Sequence, residues 1–116
     1  MKEKITVWHK PTCSKCIDAT AFLEQHGIIP DEWRAYLEDV PSEKELSAVI
    51  KMLGIPAAQL VRTKEAAFAE YAGRDLSEEE WIAAPHQHPE LIQRPVIIIG
   101  NRAYIGRSFE ELSQLL

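Results

Sequence analysis

Apolar and polar residues alternate over residues 4–8, Lys-Ile-Thr-Val-Trp. That period of two predicts a strand with Ile5 and Val7 on one face and Thr6 and Trp8 on the other. A helical rhythm takes over from about Ser14 to His26, where Ile17, Ala21 and Phe22 share a face and Gly27 is the expected C-cap. Glu32 to Leu37 reads as a second strand. In "EDVPSEKELSAVIKMLG", Ser42 and Glu45 form a capping box, and Leu46, Val49, Ile50 and Leu53 make an apolar stripe ending at Gly54. Ser77 and Glu80 open another helix in the same way, with Glu78, Glu79 and Glu80 as its negative first turn. Shorter helical pieces are predicted at Lys64–Tyr71 and Pro89–Ile92.

"RPVIIIG" is a continuous apolar run, the pattern of a strand buried on both faces. Gly100-Asn101 is a turn dipeptide, and "RAYIG" supplies the returning strand of a hairpin. Ser108 is placed to cap a last helix, with Glu110 and Glu111 in its first turn and Leu112, Leu115 and Leu116 on its apolar side. The order is thus β-α-β, a helical middle, then β-β-α. A β-α-β start implies a right-handed crossover and a parallel pair, to which the hairpin adds antiparallel strands. One α/β domain over residues 1–116 is expected: a mixed sheet with a helical insertion at about 42–92.

The 116 residues suffice for one core, and a charged fraction of 27% is that of an ordinary soluble protein. No apolar run approaches the roughly 20 residues of a membrane span. The start of the chain turns polar at His9-Lys10, so a signal peptide is not expected and the cytoplasm is the expected location. The net charge of −5, with no block of Lys or Arg, speaks against nucleic-acid binding. An anionic small substrate would need a local cluster of cations.

That focuses attention on Cys13 and Cys16, the chain's two cysteines. In a reducing compartment such a pair is catalytic or metal-binding rather than structural. Cys13 follows a Pro-Thr loop and directly precedes the predicted helix. Unpaired N–H groups and the helix dipole there favour thiolate over thiol. Cys16, one turn on, is expected to lie deeper and within reach as a resolving thiol. His9 and Lys10 add positive character to the loop. A zinc site would need two more ligands; His9, His26, His86 and His88 lack the paired spacing, and the last two are expected in a solvated loop, so no metal is predicted. Three arginines stand out: Arg62 after "QLV", Arg94 before Pro95, and Arg107 after "YIG". Two of them lie at predicted strand ends, and guanidinium forks match a tetrahedral oxyanion.

Taken together, "ITVWHKPTCSK", "YLEDVPSEKEL", "LVRTKE" and "HPELIQRPVIIIGNRAYIGRSFEEL" resemble the arsenate reductase (ArsC) family, in its glutaredoxin-coupled branch, with Spx as a close relative. The resemblance runs over essentially the whole chain. It implies a thioredoxin-like fold with a helical insertion, a cis Pro95 beside the active cysteine, and Cys13 as nucleophile supported by His9. It implies that Arg62, Arg94 and Arg107 hold arsenate or a similar oxyanion. It also implies a redox-active enzyme with no bound cofactor, reduced from outside by glutathione and glutaredoxin or by thioredoxin; a monomer is expected. Two departures stand out. Ile17 occupies the position where reductases of the family carry an arginine, and Cys16 stands where they lack a cysteine, as in Spx. Cys16 therefore offers an internal resolving thiol, which would leave a Cys13–Cys16 disulfide. An Spx-like redox regulator of RNA polymerase is the second reading; "RTKE", "GRSFEE" and the end of the chain at Leu116 weigh against it. A general thiol–disulfide oxidoreductase is the third.

Overall fold

Four strands hydrogen-bond into one mixed sheet in the order β2-β1-β3-β4. They are β1 (Ile5–His9), β2 (Glu32–Ala35), β3 (Val96–Ile99) and β4 (Arg102–Ile105). The computed structural model describes residues 4–10 and 14–106. The expected last helix from Ser108 lies outside these residues, as do Cys13 and Arg107. β1 runs parallel to β2 and antiparallel to β3, and β3 and β4 form the expected hairpin. Its turn places Gly100 at φ +60°, a left-handed conformation that glycine adopts without a Cβ clash. The result is the thioredoxin-like α/β fold. The chain divides into two compact units: residues up to Asp39 with those from Arg94 onward, and Val40–Gln93.

In the first unit, β1 leads into α1 (Ser14–Gln25). The register pairs Val7 with Ile97, and both pack with Ala19 and Leu23 of α1 against Phe22, Ile28 and Ile99. The inward stripe of α1 is Cys16, Ala19 and Leu23, all nearly or fully buried. This corrects the predicted face: Ile17 is 56% exposed and Ala21 is exposed, although Phe22 is half-buried. A cysteine acts here as a small hydrophobe and shifts the apolar stripe by one position. Gly27, at φ +70°, ends the helix. Its N–H donates to Glu24 O and that of Ile28 to Leu23 O, at 3.1 and 2.9 Å, a Schellman arrangement that returns Ile28 to the core. β2 stops at Ala35 rather than Leu37, because the N–H groups of Glu38 and Asp39 both turn back to the Ala35 carbonyl. β3 is fully buried only at Val96 and Ile97; Ile98 and Ile99 are half-buried.

In the second unit, α2 (Glu43–Leu53) and α3 (Glu78–Gln87) begin with the predicted capping boxes at Ser42/Glu45 and Ser77/Glu80. Gly54 closes α2 in the left-handed conformation. The predicted helical pieces are short 3-10 helices, Ala66–Glu70 and Pro89–Leu91, and a third spans Ala57–Leu60. Val61, Tyr71, Ala84 and Leu91 form one buried cluster, flanked by Phe68 and Trp81. Of the two histidines expected in a loop between helices, only His88 lies in the connection between α3 and the Pro89–Leu91 helix. His86 belongs to α3 and its Nδ1 bonds the Pro41 carbonyl at 2.8 Å, while His88 caps the helix. No helix among the described residues is long and apolar enough to cross a membrane.

Candidate active site

Strand direction decides which residues meet. β1 and β2 are parallel, so their C-terminal ends, His9 and Ala35, lie side by side. β3 runs the other way and brings its N-terminal end to the same edge, with Val96 opposite both Trp8 and Ile105. One end of the sheet therefore gathers His9-Lys10, Tyr36, Arg94-Pro95 and Gly106. The Arg94–Pro95 peptide bond is cis, as the resemblance implied, and Gly106 N–H donates to the Pro95 carbonyl at 2.8 Å.

Cys16 lies in the first turn of α1 and is 3% exposed. Its Sγ accepts the Lys10 N–H at 3.4 Å, which ties the loop after β1 to the helix. Thr20 Oγ1 donates to the Cys16 carbonyl at 2.9 Å, one turn back along α1. His9 is half-buried, and its ring lies 5.1 Å from that of Trp33. Burial lowers its pKa below the ordinary histidine value, because the charged imidazolium loses solvation.

Arg34 of β2 stands in register with Trp8 of β1. Trp8 is buried, and the Arg34 guanidinium sits 5.6 Å from its ring centroid. Asp39 neutralises Arg34, with its carbonyl 3.0 Å and its Oδ2 3.3 Å from Nε. Arg94 Nη1 donates to the hydroxyl of the fully buried Tyr36 at 3.5 Å. Sequence reasoning missed Tyr36 and Arg34. The pattern held one signal for Tyr36: a large amphipathic side chain at the end of a strand.

The predicted site residues are thus distributed unevenly. The structure brings His9, Cys16, Arg94 and Pro95 to one sheet end. Cys13 and Arg107 lie outside the described residues. Arg62 belongs to the second unit, where its N–H donates to Leu91 O at 2.6 Å and Val61 bridges Ile92. Its Nη1 is buried and 2.7 Å from Glu65 Oε1, yet its N–H directions miss the carboxylate, so the contact is an ion pair without an aligned hydrogen bond. Among the described residues, no group of three or more His, Cys, Asp or Glu side chains is arranged to hold a metal ion.

Residues 8–115 match the ArsC family. An uncharacterized protein in the glnII region of Streptomyces viridochromogenes is 40% identical, over 95% of this chain and 97% of its own. An arsenate reductase of Haemophilus influenzae is 36% identical, over 97% and 98% respectively. The solved structure of an arsenate reductase from Vibrio cholerae is 33% identical and superposes with a TM-score of 0.90 over the whole of both chains. A more distant relative, the global transcriptional regulator Spx of Enterococcus faecalis, is 26% identical over 97% of this chain and 86% of its own.

Proposed function

Since this chain belongs to the ArsC family and is an enzyme of the arsenate reductase type, we propose that Cys13 is its nucleophile and arsenate, or a similar oxyanion, its substrate. Arg62, Arg94 and Arg107 hold the anion. Cys13 thiolate attacks As(V) and an oxygen leaves as water, giving a sulfur–arsenic adduct. A second thiol then attacks the Cys13 sulfur. The sulfur–arsenic bond breaks with its electron pair on arsenic, arsenite leaves, and the two thiols become a disulfide. The arginines neutralise an anion as it meets a second negative charge, which is the electrostatic part of the task. His9 and Pro95 support the loop. The residues act within a single cytoplasmic, monomeric domain with a helical insertion and no bound cofactor.

The observation that carries this reading is Cys16: buried, at the first turn of α1, with Sγ on the Lys10 amide of the loop that contains Cys13. That placement suits a resolving thiol, so Cys16 supplies the second thiol and thioredoxin or glutaredoxin reduces the pair. Purified protein with a thiol system is expected to form arsenite, and Cys13→Ser to form none. Mass spectrometry after one turnover separates a Cys13–Cys16 disulfide from a Cys13–glutathione adduct. Absence of turnover with both reductant systems defeats the reading. The Cys-x-x-Cys pair and the Spx relative favour a second reading, a redox-switched regulator that binds RNA polymerase. A pull-down comparing oxidised and reduced protein tests it, and a polymerase capture indifferent to redox state counts against it.

A further inference from the structure

We propose that Trp33 is a positioning residue for His9: its indole, exposed on the outer strand β2, covers the imidazole at the end of the sheet and shields it from water. The inference rests on the reading of His9 as a support for the cysteine loop. β2 is an outer strand of the sheet, hydrogen-bonded to β1. The parallel register sets Trp33 beside Val7 and Ala35 beside His9, so alternation brings all four side chains to one face. α1 packs on that face, with Ala19 and Leu23 against Val7. His9 lies further along β1, and the residue directly across from it is alanine. That short side chain leaves the imidazole open toward the strand edge. There the indole stands, its ring centroid 5.1 Å from that of His9 and its plane tilted by 57°.

An aromatic residue is an unusual choice for this position. Trp33 is 41% exposed on an edge strand, where a polar side chain would be better solvated and would guard the edge against other chains. The position therefore gains from the part of the ring that lies against His9. Burial of the imidazole disfavours its charged form, and no charge of a described residue adds to that effect. Glu32 and Arg34 alternate to the other face of β2, where Glu32 pairs with Lys4 and Arg34 lies over Trp8. Asp18 of α1 is exposed, and Lys10 and Arg94 stand at the same end of the sheet. An uncharged imidazole keeps a lone pair, so it can accept the proton of a nearby thiol instead of adding a fixed charge. Trp33 acts through His9 and does not itself touch substrate.

The test compares wild type with Trp33→Thr, which suits an exposed strand, Trp33→Phe, which keeps an aromatic cover, and His9→Asn. Histidine ring protons are followed by NMR across pH, and the His9 signal is assigned by its loss in His9→Asn. The kcat/KM for arsenate with a thiol system is measured over the same range, with thermal unfolding alongside. In wild type, His9 should titrate below the ordinary histidine value of about 6.5. Trp33→Thr should raise that midpoint toward the ordinary value, and the acid limb of the kcat/KM profile should move up with it. Trp33→Phe should restore most of both. A His9 midpoint that is the same in Trp33→Thr as in wild type overturns the proposal, whatever the activity does. A Trp33→Thr protein that melts lower with midpoint and profile unchanged shows a packing role only, and the proposal fails. An acid limb that His9→Asn alters but Trp33→Thr leaves in place also refutes it, while the reading of His9 stands. A profile that His9→Asn does not alter removes that reading and this inference together.

Discussion

Replacing Glu65 by glutamine should tighten arsenate binding. Glu65 Oε1 stands 2.7 Å from Arg62 Nη1, and the two side chains are only 29% and 25% exposed. An anion that uses Arg62 must therefore compete with a carboxylate already in place. Coulomb's law at that separation gives about 1.5 kcal/mol in a water-like dielectric and about 6 kcal/mol at an effective value of 20. Desolvation and the entropy of fixing both side chains offset most of this, and partly exposed pairs contribute roughly 0.2–1 kcal/mol net. Releasing Arg62 at the upper end of that range corresponds to about a fivefold change in affinity. Glu65→Gln keeps the shape and removes the charge. The assay is arsenite production against arsenate concentration, at low salt and again near 1 M. KM should fall about fivefold at low salt, and the gap should narrow at high salt as screening weakens the competition. An unchanged KM would mean that Arg62 does not touch the anion. A raised KM would mean that Glu65 orients Arg62 rather than competing for it, and either outcome refutes the reasoning.

Two further predictions separate structure from chemistry. Leu23→Ala empties a fully buried position against Val7, Ala19 and Ile97 and should cost about 2–5 kcal/mol in urea unfolding, whereas Ile17→Ala, at a 56% exposed site on the same helix, should stay within roughly 0.5 kcal/mol; equal losses would contradict the assigned face of α1. Burial lowers the His9 pKa, so below the ordinary histidine value the unfolded chain holds a proton that the folded chain resists, and stability should fall on acidification through that window. The urea midpoint, followed from about pH 7 to about 5.5, should decline less steeply in His9→Asn, and superimposable slopes would dismiss burial of His9 as a cause.

Local chemistry was legible from the residues alone. Ser42 with Glu45, Ser77 with Glu80, and Gly54 mark helix ends through bonds made within a few positions, and the structure forms all of them. The Gly100-Asn101 hairpin is local in the same sense. What depended on distant partners was less visible. The inward face of α1 was misjudged because the stripe runs through Cys16, Ala19 and Leu23, one position off the Ile17 face that hydrophobicity favours. β3 looked buried throughout, but nothing in "VIII" says that Ile98 and Ile99 lie where coverage thins. At the site, Arg94 and Pro95 were found by motif. Tyr36 escaped because its contact with Arg94 spans 58 positions of sequence. Equally, "VRTKE" displays an arginine and a glutamate three apart, but not whether they meet.

The sheet order β2-β1-β3-β4 also dictates a sequence in time. β1 is made first, yet one of its two neighbours, β3, begins at Val96. During synthesis β1 has only β2 beside it, a two-stranded parallel pair with little stability of its own. The Val40–Gln93 stretch, by contrast, is contiguous and emerges complete before β3 does. Closing so long a loop adds an entropic cost that grows only logarithmically, but it delays the reward until late. Pulsed hydrogen exchange during refolding should therefore protect the α2 amides before that of Val7, and simultaneous protection would argue for one concerted step. The end of the sheet that carries His9 is thus completed late, only once β3 joins β1.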